Sequence, residues 1–389
     1  MGKICSKCIM PDTAETLIIN KNSNCSVCEQ IDYKKNIDWQ KRQVSLDELL
    51  LKYKGKNNYD CIVPFSGGKD STFALWYLVV KKNLKPLVVR FDHNFLRNKV
   101  ISNTKKTLDK LKDDFYDFKP DFKIVKKVML ESLIRRGDFC WHCHVGISAL
   151  PINIAIEKKI PLIFYGEPSS EYSSFYDYST PEELNEEKYN RSINLGINAE
   201  DMLTMLQERH PDDNINMNDL KPYYFPSQRE LKKNNIFASY LGNYIPWDVK
   251  KQVEIIKKEL DWEGEVVEGV PEEYDYEKIE CMMQGSRDFT KFLKRGFGRT
   301  THLTSIDIRN NRISRDKALE LSKLYDGKRP RSLDLLLKLL KINEEEYYNI
   351  ISKHAVYPHK PMSLNEFKSS KSNQVPKDID TWFTKFDEN

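Results

Sequence analysis

The stretch CIVPFSGGKDSTFALWYLVV, Cys61 to Val80, constrains this chain more than any other. Strand-forming residues run into Ser66, Gly67, Gly68, Lys69 and Asp70, and a long apolar-rich segment follows at once. A strand that ends in a glycine turn and restarts as a helix gathers backbone N–H groups and a helix N-terminus at one point. Those groups and the helix dipole attract phosphate. Gly67 and Gly68 let the chain approach phosphate oxygens with no Cβ in the way. Ser66 and Ser71 add hydroxyl donors, and Lys69 adds a positive charge. Asp70, the odd member beside an anion, could bind Mg²⁺ or cap the following helix. The spacing is neither G-x-x-x-x-G-K nor G-x-G-x-x-G.

The sequence around this turn alternates. YDCIVPF, KPLVVRFD, DFKIVKKV and IPLIFYGE read as short buried strands, separated by helical stretches at Ser71–Lys82, Asn98–Lys112 and Val145–Lys158. That order predicts a doubly wound, mainly parallel α/β sheet. A short helix is expected around Ser45–Tyr53. Residues 172–235, rich in tyrosine, asparagine and acids, read as a largely helical insertion. FASYLGNYIPWD returns a strand, with a helix from Val249 to Leu260 after it. Beyond Arg287 the chain reads as helical, with Ser314, Ser332 and Asn343 as caps, the last in a capping box with Glu346. Residues 363–380 read as a loose linker. The organisation expected is a ribbon at 1–40, a nucleotide-binding domain at 41–171, the insertion at 172–235, the sheet's return at 236–262 and a helical C-terminal region at 263–389.

The chain has 389 residues, with 62 basic and 58 acidic side chains and a net charge of +4. This balance neither demands nor excludes nucleic acid; no nucleic-acid partner is expected, and any polyanion-binding face has to be local. No run of about 18 apolar residues suggests a membrane span. The opening MGKICSKC has no apolar signal core, so a cytoplasmic protein is expected.

Six of the eight cysteines form Cys-x-x-Cys pairs. Cys5, Cys8, Cys25 and Cys28 have zinc-ribbon spacing, in a segment with too few apolar residues to fold without a staple. Cys140 and Cys143 form the third pair, in FCWHCHVG, and Cys281 stands alone. Cys61, inside the first strand, reads as a small buried hydrophobe.

The turn resembles the Ser-Gly-Gly-x-Asp-Ser signature of the PP-loop ATP pyrophosphatase superfamily, with its adenine nucleotide alpha hydrolase-like fold. That resemblance implies cleavage of ATP between the α- and β-phosphates. CSKCIMPDTAE, FCWHCHVGI, YGEPSSEY, YLGNYIPWD and FLKRGFGRTTHLTSIDIRNNRISRDKALEL occur in this order. Together they resemble the N-acetyl sugar amidotransferase family of bacterial lipopolysaccharide O-antigen and flagellar pseudaminic acid biosynthesis, from Cys5 to about residue 356. The sequence departs from the family's pattern at Pro168-Ser169-Ser170, where an asparagine-containing variant is expected.

The resemblance implies a reaction and its participants. A sugar N-acetyl group becomes an acetamidino group: ATP adenylates the amide oxygen, pyrophosphate leaves, and ammonia displaces AMP. Ser66, Gly67, Gly68, Lys69 and Ser71 would cradle the pyrophosphate, with Asp70 a candidate for Mg²⁺. Phe91, Asp92 and His93, at the end of the second strand, would lie over the adenosine. Gly166, Glu167 and Glu171 would face the same cleft, either carboxylate binding Mg²⁺ or taking a proton from ammonium. Lys294, Arg295 and Arg299 could meet an anionic group of a sugar or nucleotide-sugar substrate, or form a solvated basic loop. No glutaminase is visible in the sequence. The family therefore implies a glutamine-hydrolysing partner similar to the histidine-biosynthesis subunit, and with it a cyclase-like barrel. The alternative is a tRNA sulfur transferase. Some PP-loop enzymes of that class hold an iron–sulfur cluster on a Cys-x-x-Cys pair and a distant cysteine, which Cys140, Cys143 and Cys281 resemble; the bland reading leaves these thiols unligated.

Overall fold

The computed structural model describes residues 2–172, 176–372 and 374–386. Five strands, β1 (Cys61–Pro64), β2 (Pro86–Phe91), β3 (Asp114–Phe118), β4 (Leu162–Tyr165) and β5 (Phe237–Tyr240), form one sheet in the order β3-β2-β1-β4-β5. Every neighbouring pair is parallel, with Cys61 opposite Pro86 and Leu162 opposite Phe237. Parallel strands bury both faces, and β1 shows how. Cys61 and Val63 join a core with Phe73, Ala74 and Ile256, while Ile62 joins a second core with Val145, Ile152 and Ala155. Chain order reverses between β1 and β4, so the crevice for a ligand opens at their carboxyl ends.

Among the described residues six α-helices precede β4: α1 (Ser26–Lys34), α2 (Trp39–Leu51), α3 (Lys69–Trp76), α4 (Asn98–Leu111), α5 (Phe122–Arg136) and α6 (Trp141–Lys158), with a π-helical turn, Tyr77–Lys81, continuing α3. α5 corrects the strand expected at DFKIVKKV; the third strand is the preceding DFYDF. Asp121 starts the helix by accepting from the N–H groups of Lys123 and Ile124 at 2.7 and 3.2 Å. Its buried positions, Ile124, Val125, Val128, Met129 and Leu133, recur at helical spacing. A β-branched run had masked that period.

Residues 172–235 connect β4 to β5 through short helices, the longest described being Ala199–Arg209. Val249–Leu260 is helical, as are Gln284–Arg295, Arg299–Arg309, Arg315–Tyr325, Ser332–Leu340 and Glu344–Ser352. Ser314 and Asn343 cap as expected. Ser332 does not: its hydroxyl pairs with Ser286 at 2.9 Å, and buried Glu268 accepts from the Arg331 and Ser332 N–H groups instead. Residues 363–380 are no loose linker either. A capping box from Ser363 to Glu366 starts the helix Leu364–Ser369, and Phe367 is buried among Phe289, Tyr347 and Tyr348. Among the described residues no single helix is long and apolar enough to cross a membrane.

Candidate active site

The turn from β1 into α3 lies at the reversal point. Gly67 has φ +81°, a left-handed conformation, and a Cβ there would come within 2.8 Å of Val100 Cγ1 on α4. Its carbonyl accepts from the Trp262 indole at 3.0 Å. The Ser66 N–H donates to Ser71 Oγ at 3.1 Å, and the Gly68 N–H donates to Ser66 Oγ at 3.2 Å. Gly166, just past β4, is close-packed for a related reason: a Cβ would lie 2.8 Å from the Asp70 carbonyl. The end of β4 thus meets the first turn of α3 with only glycine between them.

Lys69 is 4% exposed and held by Asp70 and Glu277, each at 2.8 Å. Burial alone would lower its pKa; Asp70, Glu277, Glu167 and Glu280 outweigh that and raise it well above normal. Burial acts against Glu277 too, but Lys69, Lys278 and Arg299 hold its carboxyl well below the usual range. Glu167 goes the other way. Burial, reinforced by Asp70, pushes its carboxyl up to about 8. Asp70 keeps one carboxylate oxygen, Oδ1, buried without a hydrogen-bond partner.

Glu280 is the occupant that sequence reading missed. Ser66 Oγ donates to its Oε1 at 3.3 Å, and a Cβ on Gly68 would lie 2.9 Å from Glu280 Cγ and closer still to the carboxylate. A carboxylate therefore stands where the turn's geometry favours an anion. Glu280 belongs to a segment fixed to the end of the β2 connection: Leu96 bridges to Cys281, and the Met282 N–H donates to the Phe95 carbonyl at 2.9 Å.

A cavity of about 500 Å³ adjoins this cluster. Glu167 and Glu277 line it, whereas Ser66 to Ser71 do not, being covered by Glu277 and Glu280. Glu171 lines the cavity as a tied carboxylate: Lys34 of α1 pairs with it at 2.5 Å, and the Tyr178 hydroxyl donates to it. Phe91, Asp92 and His93 are not among the cavity's lining. Phe91 is packed beneath Gly146, Asp92 accepts from the Asn94 N–H at 2.8 Å, and burial lowers His93 to about 4.

The three basic candidates separate. Arg299 lines the cavity but is bound to Asp288 at 2.9 Å and Glu277 at 3.4 Å. Lys294 donates to the Arg136 carbonyl at 2.9 Å. Arg295 donates to the Thr13 carbonyl at 2.7 Å and pairs with Glu15. Both belong to a smaller neighbouring pocket.

The first four cysteines converge. Their sulfur atoms all lie within 4.8 Å of one another, all four side chains are buried, and Cys5–Cys28 and Cys8–Cys25 are 3.9 and 3.7 Å apart. Tetrahedral zinc with bonds of about 2.3 Å separates thiolates by about 3.8 Å, so the donor set fits a metal such as zinc. Backbone N–H groups of Cys8 and Cys25 donate to Cys5 Sγ. The Arg315 guanidinium donates to the carbonyls of Cys5 and Cys8, and Phe297 joins the buried cluster of the four cysteines, which docks the ribbon on the C-terminal helices. Met10 and Ala14 of the ribbon line the main cavity.

Cys140, Cys143 and Cys281 share one neighbourhood, and burial raises all three thiols. Among the described residues, however, the first four cysteines are the only group of three or more His, Cys, Asp or Glu ligands gathered within 4.8 Å. The second set is not gathered as a ligand shell.

Residues 268–379 match the family model described as LPS biosynthesis protein WbpG-like, C-terminal domain. That match supports an LPS-biosynthesis family for this chain and a role in polysaccharide biosynthesis. The matched stretch supplies Glu277, Glu280 and Arg299 to the site. An uncharacterized protein of Methanocaldococcus jannaschii, MJ1599, is 29% identical over 143 residues, which are 36% of this chain and 50% of that relative. The chain thus spans about half the length of the curated relative it matches.

Proposed function

We propose that this chain is the ATP-using synthetase part of an amidotransferase, converting a sugar N-acetyl group to an acetamidino group for a surface polysaccharide or flagellar glycan. The observation that carries this reading is the Gly67–Gly68 turn. It is a glycine cradle that any Cβ would fill, set at the sheet's reversal point beside a buried lysine, with Glu280 standing in it and Glu277 between that lysine and the large cavity.

The amide oxygen attacks the α-phosphorus of ATP, and the bond from that phosphorus to the bridging oxygen breaks. The turn's N–H groups, the hydroxyls of Ser66 and Ser71, and Lys69 stabilise charge growing on the leaving pyrophosphate. Mg²⁺ would be held by Asp70, whose Oδ1 lacks a partner, with Glu167, whose carboxyl feels the Asp70 charge, as a second candidate. Ammonia then attacks the imidate carbon, and the carbon–oxygen bond to AMP breaks. An amide carbonyl is a poor electrophile, and adenylation supplies its leaving group. Glu167, titrating near 8, can take a proton from ammonium in its ionised fraction, which grows as pH rises toward 8. Ammonia comes from a separate glutaminase. The match to an LPS-biosynthesis domain favours a sugar over RNA as the acceptor.

The test supplies ammonium directly and follows ATP with a panel of N-acetylated nucleotide sugars. AMP and pyrophosphate are expected from wild type, with at least a roughly 10²-fold loss in Gly67→Val, where the cradle is filled. ADP as the product, or near-normal AMP from Gly67→Val, would overturn the reading.

A further inference from the structure

The cavity wall carries several cations, and most are already matched. Asp288 and Glu277 hold Arg299, Asp248 and Asp307 hold Arg312, and Glu182 holds Lys188. Lys278 stands beside Glu167 and Glu277, lowering the pKa of both. Arg287 and Lys291 differ. Among the described residues neither makes an ion pair within 4.0 Å, and the buried Nε of Arg287 has no hydrogen-bond partner. Asp138, the acid near Arg287, instead accepts from the Cys140 N–H at 2.8 Å. The Lys291 ammonium stands over the Phe297 ring at 4.4 Å.

Both side chains line the cavity, and both come from the helix Gln284–Arg295. Spaced i, i+4, they share one face of that helix. Half-buried cations with no acid in ion-pair contact are costly to keep together, although against burial the longer-range pull of Cys140, Asp138 and Asp288 still holds the Arg287 pKa above its usual value. Lys291 registers that cost: burial first, then Arg299 and, less strongly, Arg287 pull its ammonium down to about 7, against an upward pull from Asp288 that exceeds the Arg287 contribution and a smaller one from Glu15. An anion arriving from outside would relieve Lys291 and give the unpartnered Arg287 Nε an acceptor.

We propose that Arg287 and Lys291 form an anion subsite that grips a carboxylate or phosphate group of the N-acetylated sugar. Arg287 supplies a planar fork for two oxygens, and Lys291 a point charge. This assignment rests on reading the cavity as the sugar chamber. It moves substrate recognition from Lys294, Arg295 and Arg299 to earlier turns of the helix Gln284–Arg295, because those three cations are engaged elsewhere and do not form the solvated loop expected.

Calorimetric titration of the full chain at pH 6.5 tests it with three probes: UDP-N-acetylglucosamine for a diphosphate, N-acetylneuraminate for a carboxylate and N-acetylglucosamine as the neutral control. At least one anionic probe should bind tenfold or more tightly than the neutral one, and which does so identifies the source of the anion. Arg287→Gln/Lys291→Gln should lose at least tenfold in that affinity while its ATP affinity, measured alongside as a check on folding, stays put. At pH 7.5 the binding heat should vary with the buffer's ionisation enthalpy, as Lys291 takes up a proton, and this dependence should vanish in Lys291→Gln. Equal binding of all three probes, or a double variant that holds ATP and binds the anionic probe like wild type, would overturn the subsite. The two readings fail separately: AMP formation tests the amidotransferase, and anion binding tests the subsite.

Discussion

The cysteine ribbon and the Lys69 cluster both crowd acidic groups into buried space, and they resolve the conflict differently. Cys5, Cys8, Cys25 and Cys28 meet with no cation inside their shell, so only a metal can hold them together as thiolates. Asp70, Glu167, Glu277 and Glu280 gather around an internal ammonium and stay assembled without a ligand. The first site is built to be filled once. On the proposed reading the second exchanges partners, each carboxylate on Lys69 yielding to a phosphate oxygen.

The largest effect should come from emptying the ribbon. Cys5→Ser/Cys25→Ser should lose about one zinc per chain by elemental analysis. Structural zinc contributes on the order of 10 kcal/mol in isolated fingers, so the ribbon itself should unfold. Limited proteolysis should then cut within the first 40 residues while the sheet domain persists. Unchanged zinc content would remove the contrast between the two sites.

Removing the internal cation should come next. Lys69→Met leaves Asp70 and Glu277 without their ammonium in a buried place, which costs about 3–5 kcal/mol. Urea denaturation reads this, and adding Glu277→Gln should recover part of the loss. A Lys69→Met protein as stable as wild type would show that the cluster does not depend on its lysine.

The same contrast explains what could be read in advance. The ribbon is local: four cysteines within 24 positions announce themselves by spacing, and the glycine turn does so by composition. The sheet's parallel order followed from alternation, except where α5 hid its helical period behind Ile124, Val125 and Val128. Glu277 and Glu280 carry no motif. They come from a segment about 200 residues beyond the turn they cover, and only the folded path of the chain brings them there. Arg287 and Lys291 had a readable signal in their i, i+4 spacing, but nothing in sequence tells an engaged arginine such as Arg299 from an unengaged one. Cys140 and Cys143 show the limit of spacing itself: the same Cys-x-x-Cys pattern, without a second knuckle, gathers no shell.

A smaller effect is expected at Glu280, and it sharpens the idea that the Lys69 site exchanges partners. Glu280→Gln keeps the side chain's shape but removes a negative charge from the anion cradle. ATP affinity should rise about tenfold, the size of one charge–charge repulsion in a partly screened site. Weaker ATP binding in this variant would instead make the carboxylate a ligand that ATP needs, through a bridging cation.

The smallest effect concerns Glu167 and is a slope, not a loss. Its carboxyl is held near 8 by burial and Asp70, while in the unfolded chain it ionises near 4.5. Between those values the folded state keeps a proton that the unfolded state has released, so this group's contribution to stability falls as pH rises from about 4.5 to 8. Below 4.5 both states are protonated and the slope vanishes. Glu277, held well below its normal range, has completed its own titration before this window opens. Buried His93 and His142, neutral down to about 4 and 3 against an ordinary 6.5, tilt stability the opposite way below 6.5. Wild type alone would mix these slopes, whereas the difference between wild type and Glu167→Gln isolates one. Urea midpoints from pH 5 to 8.5 should converge at the acid end and separate toward 8, with the variant more stable there. Parallel curves across the range would mean that Glu167 is already ionised in the folded protein, and that the Lys69 cluster carries one more negative charge than its lysine can hold.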